Sequence, residues 1–144
     1  MVFSGRENKE MKSPTSIRSH RDLVVWQKAI ELTVCIYRLT KSFPKDELYG
    51  LTSQMRRASV SIGSNIAEGR GRLNPAEFRQ FLGLAQGSTY ELQTQLVVAR
   101  RLELGTEGSI NLAESLSNEV SKMLGSFIQT LSAGGKSQKL EARS

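Results

Sequence analysis

The side chains of this chain that could take part in chemistry are few and do not cluster along the sequence. His20 is the single histidine and Cys35 the single cysteine. Metal sites and acid–base sites combine several His, Cys, Asp or Glu side chains at close range. A lone cysteine in an apolar stretch usually behaves as a small hydrophobic side chain. We therefore predict no metal site, no cofactor and no catalytic residue, and we expect the protein not to be an enzyme.

Positive charge is concentrated between residues 56 and 79, where five arginines against Glu68 and Glu77 leave a net charge of +3. The arginines are Arg56, Arg57, Arg70, Arg72 and Arg79. The whole chain carries +6 with a pI of about 9.8, and an excess of this sign attracts polyanions. These arginines are candidate contacts to the phosphates of a nucleic acid. A solvated face, or ion pairs between subunits, is the other interpretation.

Two further residues predict a polar network. Asn65 falls between Ile62 and Ile66, near an apolar face, where an unpaired amide would be costly. We expect Asn65 to hydrogen-bond across the protein interior and, with Glu68, to link two helices or two subunits. A substrate site around this pair is the alternative. Trp26 is interpreted as an anchor in the core or in an interface.

The elements that must position these side chains are helices, because apolar residues recur three or four positions apart. The predicted helices run from about Asp22 to Phe43, Gly50 to Gly69, Pro75 to Leu104 and Ser109 to Leu131. The apolar stripe of the first is Leu23, Trp26, Ile30, Val34 and Tyr37. The second has Leu51, Met55, Ala58, Ile62 and Ile66. The third has Phe78, Leu82, Ala85, Thr89, Leu92, Leu96 and Ala99, and the fourth has Leu112, Leu116, Val120, Met123, Phe127 and Leu131.

Several residues mark the helix ends. Asp22 is placed to cap the first helix, and Pro44 prevents it from continuing. Asn74-Pro75-Ala76-Glu77 is a typical helix start, with a capping Asn, a proline in the first turn and a Glu three residues after the cap. Gly83 and Gly87 lie inside the third helix at a cost of about 1 kcal/mol each relative to alanine. We explain the presence of these two glycines by the close approach of a neighbouring helix backbone.

Four amphipathic helices with short connections predict an all-α fold, an antiparallel up-down-up-down four-helix bundle over residues 21–131. Residues 1–20 are predicted to be a disordered tail and residues 132–144 a flexible one. The longest aliphatic–aromatic run is Leu23–Trp26, far short of the ~20 residues of a membrane span. With a single cysteine, the chain suits a reducing compartment, so we expect a cytoplasmic protein without membrane contact.

The order of several short segments resembles the 23S rRNA-intervening-sequence protein family, also called four helix bundle proteins. The segments are Asp22-Leu23, Val25-Trp26-Gln27-Lys28-Ala29, Phe43-Pro44, Glu47, Tyr49-Gly50-Leu51, Gln54, Arg56-Arg57-Ala58, Ser61-Ile62, Asn65-Ile66-Ala67-Glu68-Gly69, Glu77-Phe78, Phe81-Leu82, Ala85, Gly87-Ser88 and Glu91-Leu92. They span roughly Arg21 to Leu96, and the fourth helix follows only as a hydrophobic pattern.

The resemblance implies a bundle that assembles into a ring-like homopentamer. Some members of the family are encoded inside insertions in large-subunit ribosomal RNA genes. A similar bundle is a basic accessory subunit of the reverse transcriptase of diversity-generating retroelements. The function we predict is therefore a non-enzymatic, oligomeric bundle that binds RNA or another nucleic acid electrostatically. The alternative is a protein-interaction scaffold, such as a reverse-transcriptase accessory subunit, whose arginines contact a protein partner or another subunit.

Overall fold

The computed structural model describes the backbone of residues 19–143 and the side chains of residues 19–133. Four α-helices fill most of that range, and no β-strand occurs in it. They are α1 (Val24–Thr40), α2 (Ser53–Arg70), α3 (Pro75–Arg101) and α4 (Glu107–Arg143). The all-α prediction is confirmed. The tail predicted over residues 1–20 lies outside the described residues, apart from Ser19 and His20 at a short 3-10 turn.

The helices form a closed antiparallel bundle in which α1 packs on α2, α2 on α3, α3 on α4, and α4 on α1. The Thr33 hydroxyl donates to the carbonyl of Ser59, and the Arg56 Nε donates to the hydroxyl of Thr40. Positions therefore rise along α1 as they fall along α2. The helices α3 and α4 are antiparallel as well, because Gln86 donates to the carbonyl of Ser121 and Arg100, later on α3, donates to Glu114, earlier on α4. The predicted up-down-up-down topology is confirmed.

The core is built from the apolar stripes of all four helices. On α2 and α3 most residues predicted from spacing are buried: Met55, Ala58, Ile62, Ile66, Leu82, Ala85, Thr89, Leu92, Leu96 and Ala99. The other two, Leu51 and Phe78, are partly buried against this core. These two helices also approach each other closely at Gly69. A Cβ built on Gly69 would lie 2.6 Å from the Cβ of Phe81, so α2 and α3 meet here at a distance that only glycine allows.

The predicted inner face of α1 is wrong from Ile30 onwards, although Leu23 and Trp26 at its start do pack in or on the core. The structure buries Val25, Ala29, Leu32, Ile36 and Leu39. Three members of the predicted stripe remain at the surface instead, with exposed fractions of 40% for Ile30, 42% for Val34 and 43% for Tyr37. Because α1 is apolar around most of its circumference, a period of three to four residues fits two faces, and only packing against α2 and α4 selects between them.

The unused apolar side of α1 lies next to one on α4, and together they form an open groove. We call it the α1–α4 groove, of about 520 Å³, lined by Ile30, Glu31, Val34, Cys35, Arg38, Leu39, Ser109, Leu112 and Leu116. Leu112, predicted to face the core, is 55% exposed. The side chains of Ile110 and Ala113 are buried in its place.

The entries into α1 and α2 differ from the prediction. α1 begins at Val24 after a 3-10 turn, and Leu23, which offers no side-chain cap, takes the position predicted for Asp22. A π-helical turn, Leu48–Thr52, precedes α2, and Gly50 within it has non-helical backbone angles of φ −107° and ψ −112°. The chain therefore changes direction where α2 was predicted to start, and Tyr49 is left on the outside with 91% of its surface exposed.

The later helix ends are mixed in outcome. The predicted start of α3 is confirmed, since Asn74 Oδ1 accepts from the backbone N–H of Glu77 at 2.8 Å and Pro75 is the first helical residue. α3 ends at Arg101, earlier than predicted, before residues with positive φ at Glu103 and Gly105. The predicted end of α4 at Leu131 is wrong, because the helical backbone continues to Arg143.

Our explanation of the two glycines inside α3 is also wrong. A Cβ on Gly83 or Gly87 would meet nothing within 4 Å, so no helix among the described residues packs closely against either position. Both face outwards. The glycine that does permit helix contact is Gly69 on α2.

Candidate nucleic-acid interface

The five candidate arginines separate into two groups at opposite ends of α2. Arg56 and Arg57 lie in its first turns, whereas Arg70 ends the helix, Arg72 follows in the loop and Arg79 belongs to the second turn of α3. A rise of about 1.5 Å per residue puts about 21 Å between the backbones of Arg56 and Arg70. We call the groups the Arg56 pair and the Arg72 group.

Arg56 is held by two groups on α1. Its Nε donates to Thr40 Oγ1 at 2.9 Å, and its Nη2 lies 3.5 Å from the carbonyl oxygen of Tyr37. The guanidinium carbon lies 4.6 Å from the centroid of the Tyr37 ring, within the range of a cation–π contact. Since Thr40 is itself buried, these contacts fix the direction of the guanidinium plane before any ligand arrives.

Arg57 is more exposed and less constrained. Its Nη2 lies 3.5 Å from Ser53 Oγ, one helical turn earlier. Together with the exposed Tyr49, the Arg56 pair borders an open cleft of about 410 Å³. We call it the Tyr49 cleft, lined by Tyr37, Leu48, Tyr49, Thr52, Ser53, Arg56 and Arg57.

The Arg72 group is arranged differently. The Arg72 guanidinium carbon lies 4.7 Å from the centroid of the half-buried Phe81 ring. The Nη1 of Arg79 donates to Ser132 Oγ on α4 at 3.1 Å. The loop between α2 and α3 also carries Leu73, whose side chain is fully exposed at 101%. At this end of α2, therefore, the guanidinium of Arg72 is at the surface and covers the aromatic ring of Phe81.

The electrostatic state of the arginines differs from that of other cations. Lys28 pairs with Glu31 and Glu119, and Arg100 pairs bidentately with Glu114. The hydrogen bond that Arg100 donates to Glu114 raises the pKa of Arg100 further above its ordinary value. By contrast, four of the candidates form no ion pair with a carboxylate among residues 19–133: Arg56, Arg57, Arg72 and Arg79. Their charge is available to an external anion.

Contrary to the prediction, Asn65 does not hydrogen-bond across the interior itself but is linked to α3 through Ser61. Its Nδ2 donates to the carbonyl and the hydroxyl of Ser61, at 2.9 and 3.0 Å. The Ser61 hydroxyl in turn lies 2.9 Å from the hydroxyl of Ser88 on α3. Glu68 lies on the exposed side, and its side chain has no hydrogen bond or ion pair within the described part of the chain. The network thus runs through two serines that spacing alone did not single out.

The potentially reactive side chains are separated and engaged elsewhere. Cys35 is half-buried in the α1–α4 groove, and burial raises the pKa of its thiol despite the nearby Arg38. The His20 ring packs edge-on against Trp26, with centroids 5.0 Å apart, and Trp26 packs on the core. Within the described residues, no three His, Cys, Asp or Glu side chains are grouped to hold a metal ion. In the same range, no helix has the length and apolar character that crossing a membrane requires.

The architecture and these arginines define the class of the protein as a basic antiparallel four-helix bundle. The family model described as "23S rRNA-intervening sequence protein" matches residues 21–126. The chain belongs to this family. The resemblance noted from its sequence segments is therefore confirmed, and the matched range extends beyond those segments into α4, as far as Ser126.

A solved structure supports the same assignment. It is a protein from Bacteroides thetaiotaomicron, described as a member of the S23 ribosomal protein family with unknown function. The two sequences are 28% identical, the match covers 73% of this chain and 98% of that one, and the TM-score is 0.66. A comparison with curated proteins gives no significant match.

Proposed function

We propose that this protein is a non-enzymatic, cytoplasmic nucleic-acid-binding bundle whose ligand is RNA. The observation that carries the proposal is the set of four arginines with no carboxylate partner among residues 19–133: Arg56, Arg57, Arg72 and Arg79. Two of them lie over aromatic rings, Arg56 over Tyr37 and Arg72 over Phe81. An arginine presents a planar set of donors that matches two phosphate oxygens. Orientation in advance lowers the entropy lost when a phosphate binds.

The separation of the two groups also favours an extended ligand. A single small anion cannot contact both the Arg56 pair and the Arg72 group, because about 21 Å of α2 lies between them. A polynucleotide carries phosphates at regular intervals and can reach both. Binding of this kind releases condensed counterions, so affinity falls steeply as salt is added.

The proposal is tested by titrating a structured RNA with the protein at about 50 mM and about 200 mM salt. We expect binding at low salt and a marked loss at high salt. The double variant Arg56→Gln/Arg57→Gln should bind more weakly and reduce the slope of log affinity against log salt by about two, one for each phosphate contact.

The matched control is Lys28→Gln/Arg100→Gln, which removes the same net charge from cations that already have carboxylate partners. It should retain most of the affinity. Absence of binding at low salt would reject the proposal, as would equal losses in the two double variants, since equal losses would indicate a diffuse effect of net charge.

We further propose that the protein is a homo-oligomer in which the α1–α4 groove is covered by another copy. Ile30, Val34 and Leu112 expose 40%, 42% and 55% of their surface beside one another, and exposed apolar patches mark association surfaces. The family resemblance implies a pentamer. Light scattering on the purified protein tests the assembly against the 16.0 kDa mass of one chain.

The same groove favours the second candidate function, a protein-interaction scaffold such as an accessory subunit of a polymerase. In that case a partner protein occupies the groove and the arginines contact its acidic surface. Co-purification after nuclease treatment distinguishes the two candidates. A partner that stays bound without nucleic acid, and is lost with Leu112→Glu, would favour the scaffold. Retention of RNA by that variant would favour nucleic-acid binding.

A further inference from the structure

The Tyr49 cleft combines features that neither the charge nor the core explains. Tyr49 exposes 91% of its surface and Leu48 exposes 48%, next to each other on the π-helical turn before α2. The non-helical backbone at Gly50 turns this segment out from the bundle. Large apolar and aromatic side chains at that exposure contribute little to folding. Because they lie beside the Arg56 pair, these side chains are placed to contact a ligand that the arginines bind.

We propose that the Tyr49 cleft binds one unpaired nucleotide of RNA, with the base against the Tyr49 ring and the adjoining phosphate at Arg57. This rests on the proposed function and specifies its ligand as a single-stranded segment. A tyrosine ring can stack on any base, because every base has a π face. The side chain of Arg57 is exposed and weakly held by Ser53, so it is free to turn towards a phosphate.

Arg56 has a second role in the cleft, besides the phosphate contact proposed above. Its guanidinium is already bound to Thr40 and lies over the Tyr37 ring, so the guanidinium plane is held in place as a flat surface of its own. Arginine planes stack on bases as aromatic rings do. The cleft, at about 410 Å³, lies within the range of volumes that hold small ligands. It therefore offers two flat surfaces and one mobile cation to a nucleotide.

Duplex RNA cannot use these surfaces. Its bases are stacked on each other, and its major groove is too narrow and deep for side chains to read. The Arg72 group lacks an equivalent platform, because the aromatic ring there, Phe81, is half-buried beneath the guanidinium. We infer that the Arg72 group contributes charge to either form of RNA, whereas the Tyr49 cleft discriminates between them.

The test compares a labelled oligouridylate with an RNA duplex of the same length by fluorescence anisotropy. Replacing Tyr49→Ala should weaken binding of the single strand about tenfold and leave binding of the duplex unchanged. The slope of log affinity against log salt should not change, because no phosphate contact is lost. Tyr49→Phe should retain the affinity, since the ring is preserved.

Tyr90→Ala is the matched control, because Tyr90 is also an exposed tyrosine, at 54%, but lies on α3 away from the cleft. Equal affinities of wild type and Tyr49→Ala for the single strand would overturn the nucleotide proposal. If the Arg56→Gln/Arg57→Gln variant still loses binding, RNA binding itself stands. Failure of the wild type to bind either RNA at low salt overturns both proposals.

A third outcome identifies a different occupant. If Tyr49→Ala lowers the mass of the assembly in light scattering and leaves single-strand affinity intact, the cleft is a contact between copies, and the proposal is rejected. If the mass is unchanged and only the single-strand affinity falls, the nucleotide is the occupant. The two readouts are independent because one uses no RNA.

Discussion

The α2–α3 side and the α1–α4 side of the bundle are both apolar, but they are completed in different ways. Between α2 and α3 the gap is closed within one chain, with Gly69 against Phe81 and a hydroxyl contact between Ser61 and Ser88. Between α1 and α4 an open groove remains, with Val34 and other apolar side chains at its surface. The difference teaches that one side of the bundle stabilises the protomer and that the other is available for association.

The largest effect expected from this comparison concerns the closed side. Ile66→Ala, at a fully buried position on α2, should lower the free energy of unfolding by about 2–5 kcal/mol, because it leaves a cavity as well as losing apolar burial. Val34→Ala in the groove should cost under about 1 kcal/mol in a dissociated protomer. Urea denaturation of both variants measures the difference. Similar losses would contradict the distinction between the two sides.

The second prediction concerns the open side. Leu112→Glu should dissociate the assembly, because it removes about 1.5–3 kcal/mol of apolar burial per copy and places a charge in the contact. Helicity by circular dichroism should be unchanged. Light scattering should then give the 16.0 kDa mass of one chain.

Leu84→Glu is the control for that experiment. Leu84 lies on α3 and is 54% exposed, almost equal to the 55% of Leu112, but it does not line the groove. It should leave the assembly intact. Dissociation by Leu84→Glu alone would place the contact on the outer face of α3 and contradict the role of the groove.

The third prediction compares glycines. Gly69→Ala should destabilise the protein by about 1–3 kcal/mol, because the new Cβ would lie 2.6 Å from the Cβ of Phe81. Gly83→Ala should stabilise it by about 0.5–1 kcal/mol, since its Cβ would meet nothing within 4 Å and alanine is the better helix former. Thermal unfolding of the two variants checks the signs. Changes of the same sign would contradict the close approach at Gly69.

The smallest effect belongs to Cys35 in the groove. Burial raises the pKa of its thiol in the folded chain above the ordinary value of 9.0. The unfolded chain therefore loses this proton first, so the thiol's contribution to stability is present below pH 9.0 and is lost as pH rises towards the folded pKa.

This is measured by urea denaturation between pH 7 and pH 10, with Cys35→Ala as the control that lacks the dependence. Alkylation by iodoacetamide gives a second readout. Alkylation of Cys35 should be slower in the folded protein than in urea. It should also be slower in the wild-type assembly than in the dissociated Leu112→Glu variant. Equal alkylation rates in the assembly and in that variant would contradict coverage of the groove.

Much of the fold could be predicted because local rules and packing agree on α2 and α3. The stripe from Met55 to Ile66 is the only continuous apolar face of its helix, and Asn74-Pro75 marks a helix start by backbone geometry alone. On α1 the local rules and the packing do not agree, because Ile30 and Val34 form one apolar face and Ala29 and Leu32 form another, and only the second is buried. Periodicity gave the wrong face there, because it has no information about the partners of α1.

For the candidate site, the sequence predicted which arginines are present but not how they are held or what lies beside them. The arginines between residues 56 and 79 are visible in sequence, but the hydrogen bond from Arg56 to Thr40 joins positions on two helices. The only feature in the sequence that could have indicated Tyr49 is its position as an aromatic residue between Pro44 and the start of a helix. Its exposure depends on the turn at Gly50. That Glu68 has no hydrogen bond or ion pair with residues 19–133 likewise follows from its position on the exposed face of α2.

The amino-acid sequence by itself determined that the chain forms four amphipathic helices, that short connections make them antiparallel, and that positive charge accumulates between residues 56 and 79. These properties depend on residues within a few positions of each other. The tertiary structure decided which face of α1 is buried, that α1 and α4 leave a groove, and which side chains hold Arg56. The physical reason is that these depend on contacts between residues far apart in the chain, which exist only after the helices have packed.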